Sequence, residues 1–323
     1  MMSMVKFKLF LITAVSVIPI VIYQARFEFP KVFLFLCLGV CLIIYFLLNS
    51  NLICITKKDK WYFAWIFVMS LINPNLLGGS YRNQGIIFFI TLWFLIKFVE
   101  TLELKSKELL HKFLVTTIIV ESLIVLFGYK LGTIGDTNAV SGFMSIGLLF
   151  VIKYLPKWLI TLPILSMLIV FSKTGFLSLL PYIIKKSNLI YITPLIIAVF
   201  IIKPISFESR FENRQVIWRH AINLIKEKPL LGYGAESTEL LFDKAFYESG
   251  FPLSGLIIDR AHNLFLDITI WSGLVGLFLF NGFLFEMYKE VSGDGKKILL
   301  SFLIFSFFQP LSVVHWILFA VII

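Results

Sequence analysis

Apolar runs long enough to cross a bilayer follow one another along almost the whole chain, and no other feature limits its fold as strongly. A spanning helix needs about 20 largely apolar residues, with a range of about 17–25. Such runs lie at Leu9–Tyr23, Val32–Asn49, Trp61–Leu77, Gly85–Val99, Phe113–Gly128 and Ala139–Ile152. They continue at Trp158–Phe171, Gly175–Ile184, Leu189–Ile202, His262–Phe285, Ile298–Phe308 and Leu311–Ile323. The pattern predicts an all-α polytopic membrane protein with about 12 transmembrane helices, several of them short. Trp158–Ile184 has the length of one tilted helix, but its interior Ser172-Lys173-Thr174-Gly175 predicts a turn at the outer surface. A soluble reading fails on composition. Of the 323 residues 59% are hydrophobic and 15% charged, against about 25% charged in an ordinary globular domain, and one core has no room for so much apolar surface.

The net charge of +10 would suggest nucleic acid in a soluble chain; here the placement of the cations matters more, and no nucleic-acid partner is expected. With the N-terminus inside, one set of connections holds Lys6/Lys8, Lys57/Lys58/Lys60, Lys105/Lys107/Lys112, Lys153/Lys157, Lys185/Lys186 and Lys289/Lys296/Lys297. The opposite set holds only Arg26/Lys31, Arg82, Lys130 and Lys173. Lysine and arginine accumulate on the cytoplasmic side, so the long segment from Lys203 to Arg260 is expected outside. Lys6 and Lys8 precede an apolar run with no small-residue cleavage site, which predicts a retained first span. Cys37 and Cys41 share a helix face and, with Cys54, are expected to pack as small hydrophobes and not to hold a metal. The chain shows no internal repeat and reads as one membrane domain, 1–323, with a large outer loop at 203–261.

That loop carries the polar chemistry. From Gln215 to Glu227, Trp218, Ala221, Ile222 and Ile225 recur at helical spacing. Arg214 stands four residues before Trp218, on the edge of that face, and Arg210 one turn earlier. Pro229, Gly232 and Gly234 end the helix in a tight loop. A second helix is expected over Glu236–Glu248, and the segment returns to the membrane through Asp259-Arg260-Ala261-His262-Asn263. Taken singly, the arginines read as the solvated face of a surface helix and His262 as an interfacial histidine.

Taken together they resemble a known family. Arg214-x-x-x-Trp218-x-x-Ala221, then Pro229-Leu230-Leu231-Gly232-Tyr233-Gly234, then Ala261-His262-Asn263 are similar to the O-antigen ligase and O-antigen polymerase superfamily, and Gly273-Leu274-Val275-Gly276 fits the glycine-spaced helix that follows. Gly132-Thr133-Ile134-Gly135-Asp136-Thr137-Asn138-Ala139 resembles the family's Gly/Asn-rich turn. Ser172-Lys173-Thr174-Gly175 resembles its outer Ser-Arg-Gly turn, with Lys in place of Arg. The resemblance runs from about Gly132 to Gly276; the first third matches only as hydrophobic spans.

The resemblance implies a glycosyltransferase of the bacterial inner membrane with 203–261 as a large periplasmic loop, its active site facing the periplasm and no metal or other cofactor. It takes a polyprenyl-pyrophosphate-linked (undecaprenyl-pyrophosphate-linked) glycan as donor and a hydroxyl of a second lipid-linked repeat unit or of lipid A-core as acceptor. It does not separate ligase from polymerase. The residues suit that chemistry. Histidine is the natural base near neutral pH for a weakly nucleophilic hydroxyl, which points to His262. Positioned cations lower the barrier to departure of a pyrophosphate, and arginine pairs with phosphate in a bidentate fork. Arg214, with Arg210, is the first choice; Lys173 keeps the charge without the fork.

Each further candidate has a plainer alternative. Asn263 orients the imidazole or caps the returning helix. Asn138, like Asp136, contacts substrate or forms a turn. Arg82 reaches the phosphates or a lipid headgroup. Trp218 packs its helix and stacks on Arg214. Tyr233 contacts sugar or fills its loop. Glu121 is an intramembrane acid with no evident partner, and His315 is expected to pack. A lipid-linked oligosaccharide flippase is the rival class. Transporters place their substrate groups near the midplane, commonly within an internal two-fold, and neither feature is legible here.

Overall fold

A computed structural model describes residues 4–21, 28–183, 207–248 and 258–322. Among them every regular element is helical: α1 Met4–Val17, α2 Phe29–Leu48, α3 Lys57–Ile72, α4 Ile86–Thr101, α5 Leu104–Leu126, α6 Thr137–Tyr154 and α7 Thr161–Val170, then α8 Lys173–Leu177 and α9 Leu180–Ile183. After the undescribed stretch come α10 Phe207–Glu227, α11 Thr238–Glu248, α12 Leu264–Glu290, α13 Gly293–Phe308 and α14 Val313–Ala320. Four of them, α2, α5, α6 and α12, are long and apolar enough to cross a membrane. The expected spans at α1, α3, α4 and α13 form helices of 14 or 16 residues. The expected span Leu189–Ile202 lies outside the described residues.

Local chemistry sets the helix ends. Thr56 and Asp59 close a capping box at the start of α3, and Asp136, Ser172 and Asn263 cap α6, α8 and α12 with their side-chain oxygens. The turn predicted at Ser172 is present: Phe171 adopts φ 50°, which no α-helix continues through. The apolar stretch after it breaks into α8 and α9, neither long enough to span, so the run Gly175–Ile184 is not one regular helix over its described residues. The helix expected from Gln215 starts earlier, at Phe207, and the one expected from Glu236 starts at Thr238, because Glu236 sits at φ 51°.

The core is aromatic. Trp65 of α3 packs on Phe280 of α12 at 4.8 Å between ring centroids, and Phe302 of α13 on Phe319 of α14 at 4.7 Å. Two polar tips buried among these rings find partners, which lowers the cost of placing them in an apolar interior. Trp65 Nε1 donates to Ser272 Oγ (3.2 Å) and Tyr62 OH to the Phe89 carbonyl (2.8 Å).

Charged groups gather at the two ends of the bundle. At one end Lys58 is fully buried between Glu100 and Glu290, Lys97 pairs with Asp59 (2.6 Å) and Glu100 (2.7 Å), and Lys57 with Glu286 (3.0 Å). These pairs bring together the first residues of α3 and the last of α4 and α12. The connection 73–85, the start of α12 and the start of α6 therefore lie at the other end. Glu121, expected as a lone mid-membrane acid, stands five residues from the end of α5 and is fully engaged. Its carboxylate accepts from Thr133 N and Oγ1 (2.8 Å each) and from Ile134 N (3.4 Å), which holds the glycine-rich turn before α6 in place.

Candidate active site

At the second end the segment 258–263 runs into α12 with its backbone fixed on both sides. The Ala261 N–H donates to Asp267 Oδ1 (2.8 Å), and its carbonyl accepts from Trp218 Nε1 on α10 (2.9 Å). Asn263 Oδ1 accepts from the Phe265 and Leu266 amides at 2.9 and 3.2 Å. Of the two roles open to Asn263, the helix cap is therefore the one it fills. Between these anchors His262 adopts φ 53°, a left-handed conformation uncommon for a residue with a Cβ. Its Nδ1 is buried and has no hydrogen-bond partner among the described residues. Buried ring nitrogens are ordinarily paired.

The surroundings of His262 are charged. Burial pulls its pKa down to about 4; Asp259 opposes that shift, while Arg214 and Arg82 reinforce it and Asp136 opposes it more weakly. The resting imidazole is neutral at neutral pH. Arg214, partly exposed on α10, thus lies within electrostatic reach of the imidazole. Arg210 stands one turn earlier on the same helix; its side chain lies outside the described residues. Lys173 is partly exposed in the first turn of α8. That turn is held at this end by Gln309 Nε2, which donates to Thr174 Oγ1 (3.2 Å). Asn138 is partly exposed in the first turn of α6, beside the Asp136 cap, whose Oδ1 accepts from Ala139 N at 2.8 Å.

Other candidates are committed elsewhere. Trp218 makes its bond to Ala261 and sets its ring edge-on to Phe307, centroids 6.3 Å apart. Tyr233 OH donates to Glu227 (2.7 Å), and the Lys228 ammonium sits 4.5 Å from its ring centroid. His315 packs as expected, its Nδ1 accepting from Ser312 N (2.9 Å) and its Nε2 3.0 Å from the Ala139 carbonyl. Arg82 is only 6% exposed. It forms an ion pair with Asp259, lies 3.9 Å from Glu28 and donates to the Leu311 carbonyl (3.2 Å), so its guanidinium braces the site from below.

Sequence reasoning did not single out Asp259, Arg260, Glu236 or Glu28, all buried at this end. A signal existed in Asp259-Arg260, opposite charges directly before Ala-His-Asn, but its partners are distant in sequence. Among the described residues no group of three or more His, Cys, Asp or Glu is arranged for a metal, and the three cysteines are free.

The glycine motifs explain each other. At Gly273 α12 leaves helical geometry (φ 66°, ψ −170°), and the Pro229–Gly234 loop lies against the break. Tyr233 N and Gly234 N donate to the Ile270 and Trp271 carbonyls (2.8 and 2.9 Å), and Leu274 N and Val275 N to the Pro229 and Leu230 carbonyls (2.8 and 3.3 Å). A Cβ on Gly232 would stand 2.4 Å from the Ile270 oxygen, and one on Gly273 2.0 Å from the Leu230 oxygen. The loop thus takes up hydrogen bonds that the broken helix gives up, and it joins α10 to the helix that follows His262.

With this arrangement in view, comparison with known proteins is direct. Residues 122–281 match the family described as O-Antigen ligase. The chain belongs to the O-antigen ligase superfamily. The matched segment holds Lys173, Arg214, the Pro229–Gly234 loop, His262 and the Gly273 break, whereas Arg82 and the 73–85 connection lie before it. The "ComP-specific O-oligosaccharyltransferase" of Acinetobacter baylyi is 32% identical over 104 residues, which are 31% of this chain and 18% of that protein. The four helices long and apolar enough to cross a membrane among the described residues fit a multi-pass membrane protein.

Proposed function

We propose that this ligase-family protein transfers a glycan from a polyprenyl pyrophosphate to an acceptor hydroxyl on the outer side of the bacterial inner membrane. The observation that carries the reading is His262: a neutral, half-buried imidazole whose buried Nδ1 has no partner among the described residues, backbone fixed on both sides, and Arg214 within electrostatic reach. In the reaction the acceptor oxygen bonds to the anomeric carbon of the donor, the bond from that carbon to the pyrophosphate oxygen breaks, and the hydroxyl proton passes to His262. Arg214, with Arg210 and Lys173, takes the growing charge of the departing pyrophosphate. That anion in turn favours the imidazolium as it forms, against the burial that keeps the resting base neutral.

Sidedness rests on charge. The buried Lys58 and Lys97 clusters mark the lysine-rich end, and cations collect on the cytoplasmic side, which supports a periplasmic placement of the His262 end. A flippase is less well supported, since the buried ion pairs among the described residues lie at the bundle ends and not at mid-depth.

The test is replacement of the chromosomal gene by His262→Ala, with the surface glycan and the protein's membrane content measured together. Loss of transfer at normal membrane content is expected, and normal transfer removes the base. Free lipid A-core with accumulated long lipid-linked chains identifies a ligase, core with one repeat unit a polymerase. Loss of a glycoprotein band identifies a protein acceptor, the class to which the name of the Acinetobacter relative points.

A further inference from the structure

Three segments distant in sequence meet beneath His262, and Glu236 joins them. Its carboxylate accepts from the backbone N–H of Gly79 (2.5 Å) and of Gln84 (3.0 Å), both in the 73–85 connection, and it pairs with Arg260, two residues before His262. Arg260 stands over the ring of Trp271 of α12, its guanidinium carbon 4.4 Å from the centroid, and Nη2 donates to Gln84 Oε1 (3.4 Å). Both partners are nearly sealed from solvent, at 4% and 3% exposure, so neither is presented to a substrate. Glu236 adopts φ 51°, and His262 φ 53°. Two residues with a Cβ thus hold left-handed conformations within one interlocked unit, and such backbone persists only where the surroundings over-determine it. The fit around the carboxylate is close: a Cβ on Gly78 would stand 2.0 Å from Glu236 Oε2. Glu239, one turn on, holds the same connection through Ser80 Oγ and Tyr81 N.

We propose that Glu236 is a positioning residue for glycan transfer: through Arg260 it locks segment 259–263 against the 78–84 connection and so holds His262 in its working conformation. The inference rests on the role of His262 proposed above. It extends the site into the N-terminal third of the chain, which the family match does not reach. A base displaced by about 1 Å loses about 10²-fold in rate, while phosphate recognition by Arg214 on α10 is left in place.

The test uses full-length protein in liposomes, with the lipid-linked glycan extracted from a strain lacking the gene as donor. Turnover is expressed per folded molecule, counted from the monodisperse peak on size exclusion. Glu236→Gln keeps an acceptor for Gly79 and Gln84 and removes the charge that Arg260 needs. It is expected to lower kcat about 10–10²-fold with the donor KM nearly unchanged. Arg260→Lys should show the same split, and the double variant should be no worse than the poorer single, because both act through one contact. A merely structural pair would reduce the yield of folded protein and leave its turnover intact. Wild-type kcat in folded Glu236→Gln, a change confined to KM, or strictly additive losses each overturn the proposal. Should Glu236→Gln fail to fold, Arg260→Lys carries the same kinetic test. His262→Ala in parallel separates the two readings. If it is inactive while Glu236→Gln turns over normally, only the positioning role falls; if it is active, the base and its positioning residue fall together.

Discussion

Replacing Gly273 by alanine tests the joint between the Pro229–Gly234 loop and α12. At φ 66°, ψ −170° the residue occupies a region essentially reserved for glycine, and a Cβ there costs about 1–3 kcal/mol in backbone strain. The new methyl would also stand 2.0 Å from the Leu230 oxygen and 2.1 Å from its carbonyl carbon, both backbone atoms with no rotamer to move away. The loop must then withdraw from four backbone hydrogen bonds, each worth about 0.5–1.5 kcal/mol net. Even with partial relaxation the loss is at least about 3 kcal/mol, a large share of the 5–15 kcal/mol that stabilises a typical domain. A melt of detergent-solubilised protein followed by fluorescence-detected size exclusion should show a midpoint lower by about 6 °C or more. Gly293→Ala is the matched control, because a Cβ there meets no atom within 4 Å. If Gly273→Ala melts like Gly293→Ala, the loop does not depend on the helix break and the reasoning fails.

Arg214→Lys keeps its charge but loses the planar fork, and transfer should fall by at least about tenfold if bidentate phosphate binding is its role; a silent substitution places phosphate recognition elsewhere. Burial holds His262 near pKa about 4, below its unfolded value of about 6.5. The neutral base therefore persists as pH falls through 6.5, and the stability of the native state, full above 6.5, declines between 6.5 and 4. The acid limb of kcat/KM for native enzyme should accordingly lie near 4; a limb at 6.5 measured on stable protein would contradict a buried base. Transfer should also survive EDTA, and loss of activity that a divalent cation restores would refute metal-independent chemistry.

Much of the molecule was legible before any coordinates. Hydrophobic runs identified an all-helical membrane protein, and the turn at Ser172 and the capping role open to Asn263 followed from residue types and spacing. These depend on local periodicity and short-range hydrogen bonding, which a linear pattern records directly. The break between α8 and α9, at Ser178 and Leu179, was not legible to the same degree, because an apolar run reads alike whether its backbone stays helical or turns.

Residue order alone determined the solvent in which this chain folds and which side chains are able to move a proton or hold a phosphate. Tertiary structure decided what supports them. Arg82 turned inward to Asp259, Glu121 found Thr133, and Glu236 found Arg260 and the amides of a connection more than 150 residues away. A buried charge must be matched wherever the fold brings a partner within about 3 Å, and a one-dimensional sequence holds no distance between segments that far apart.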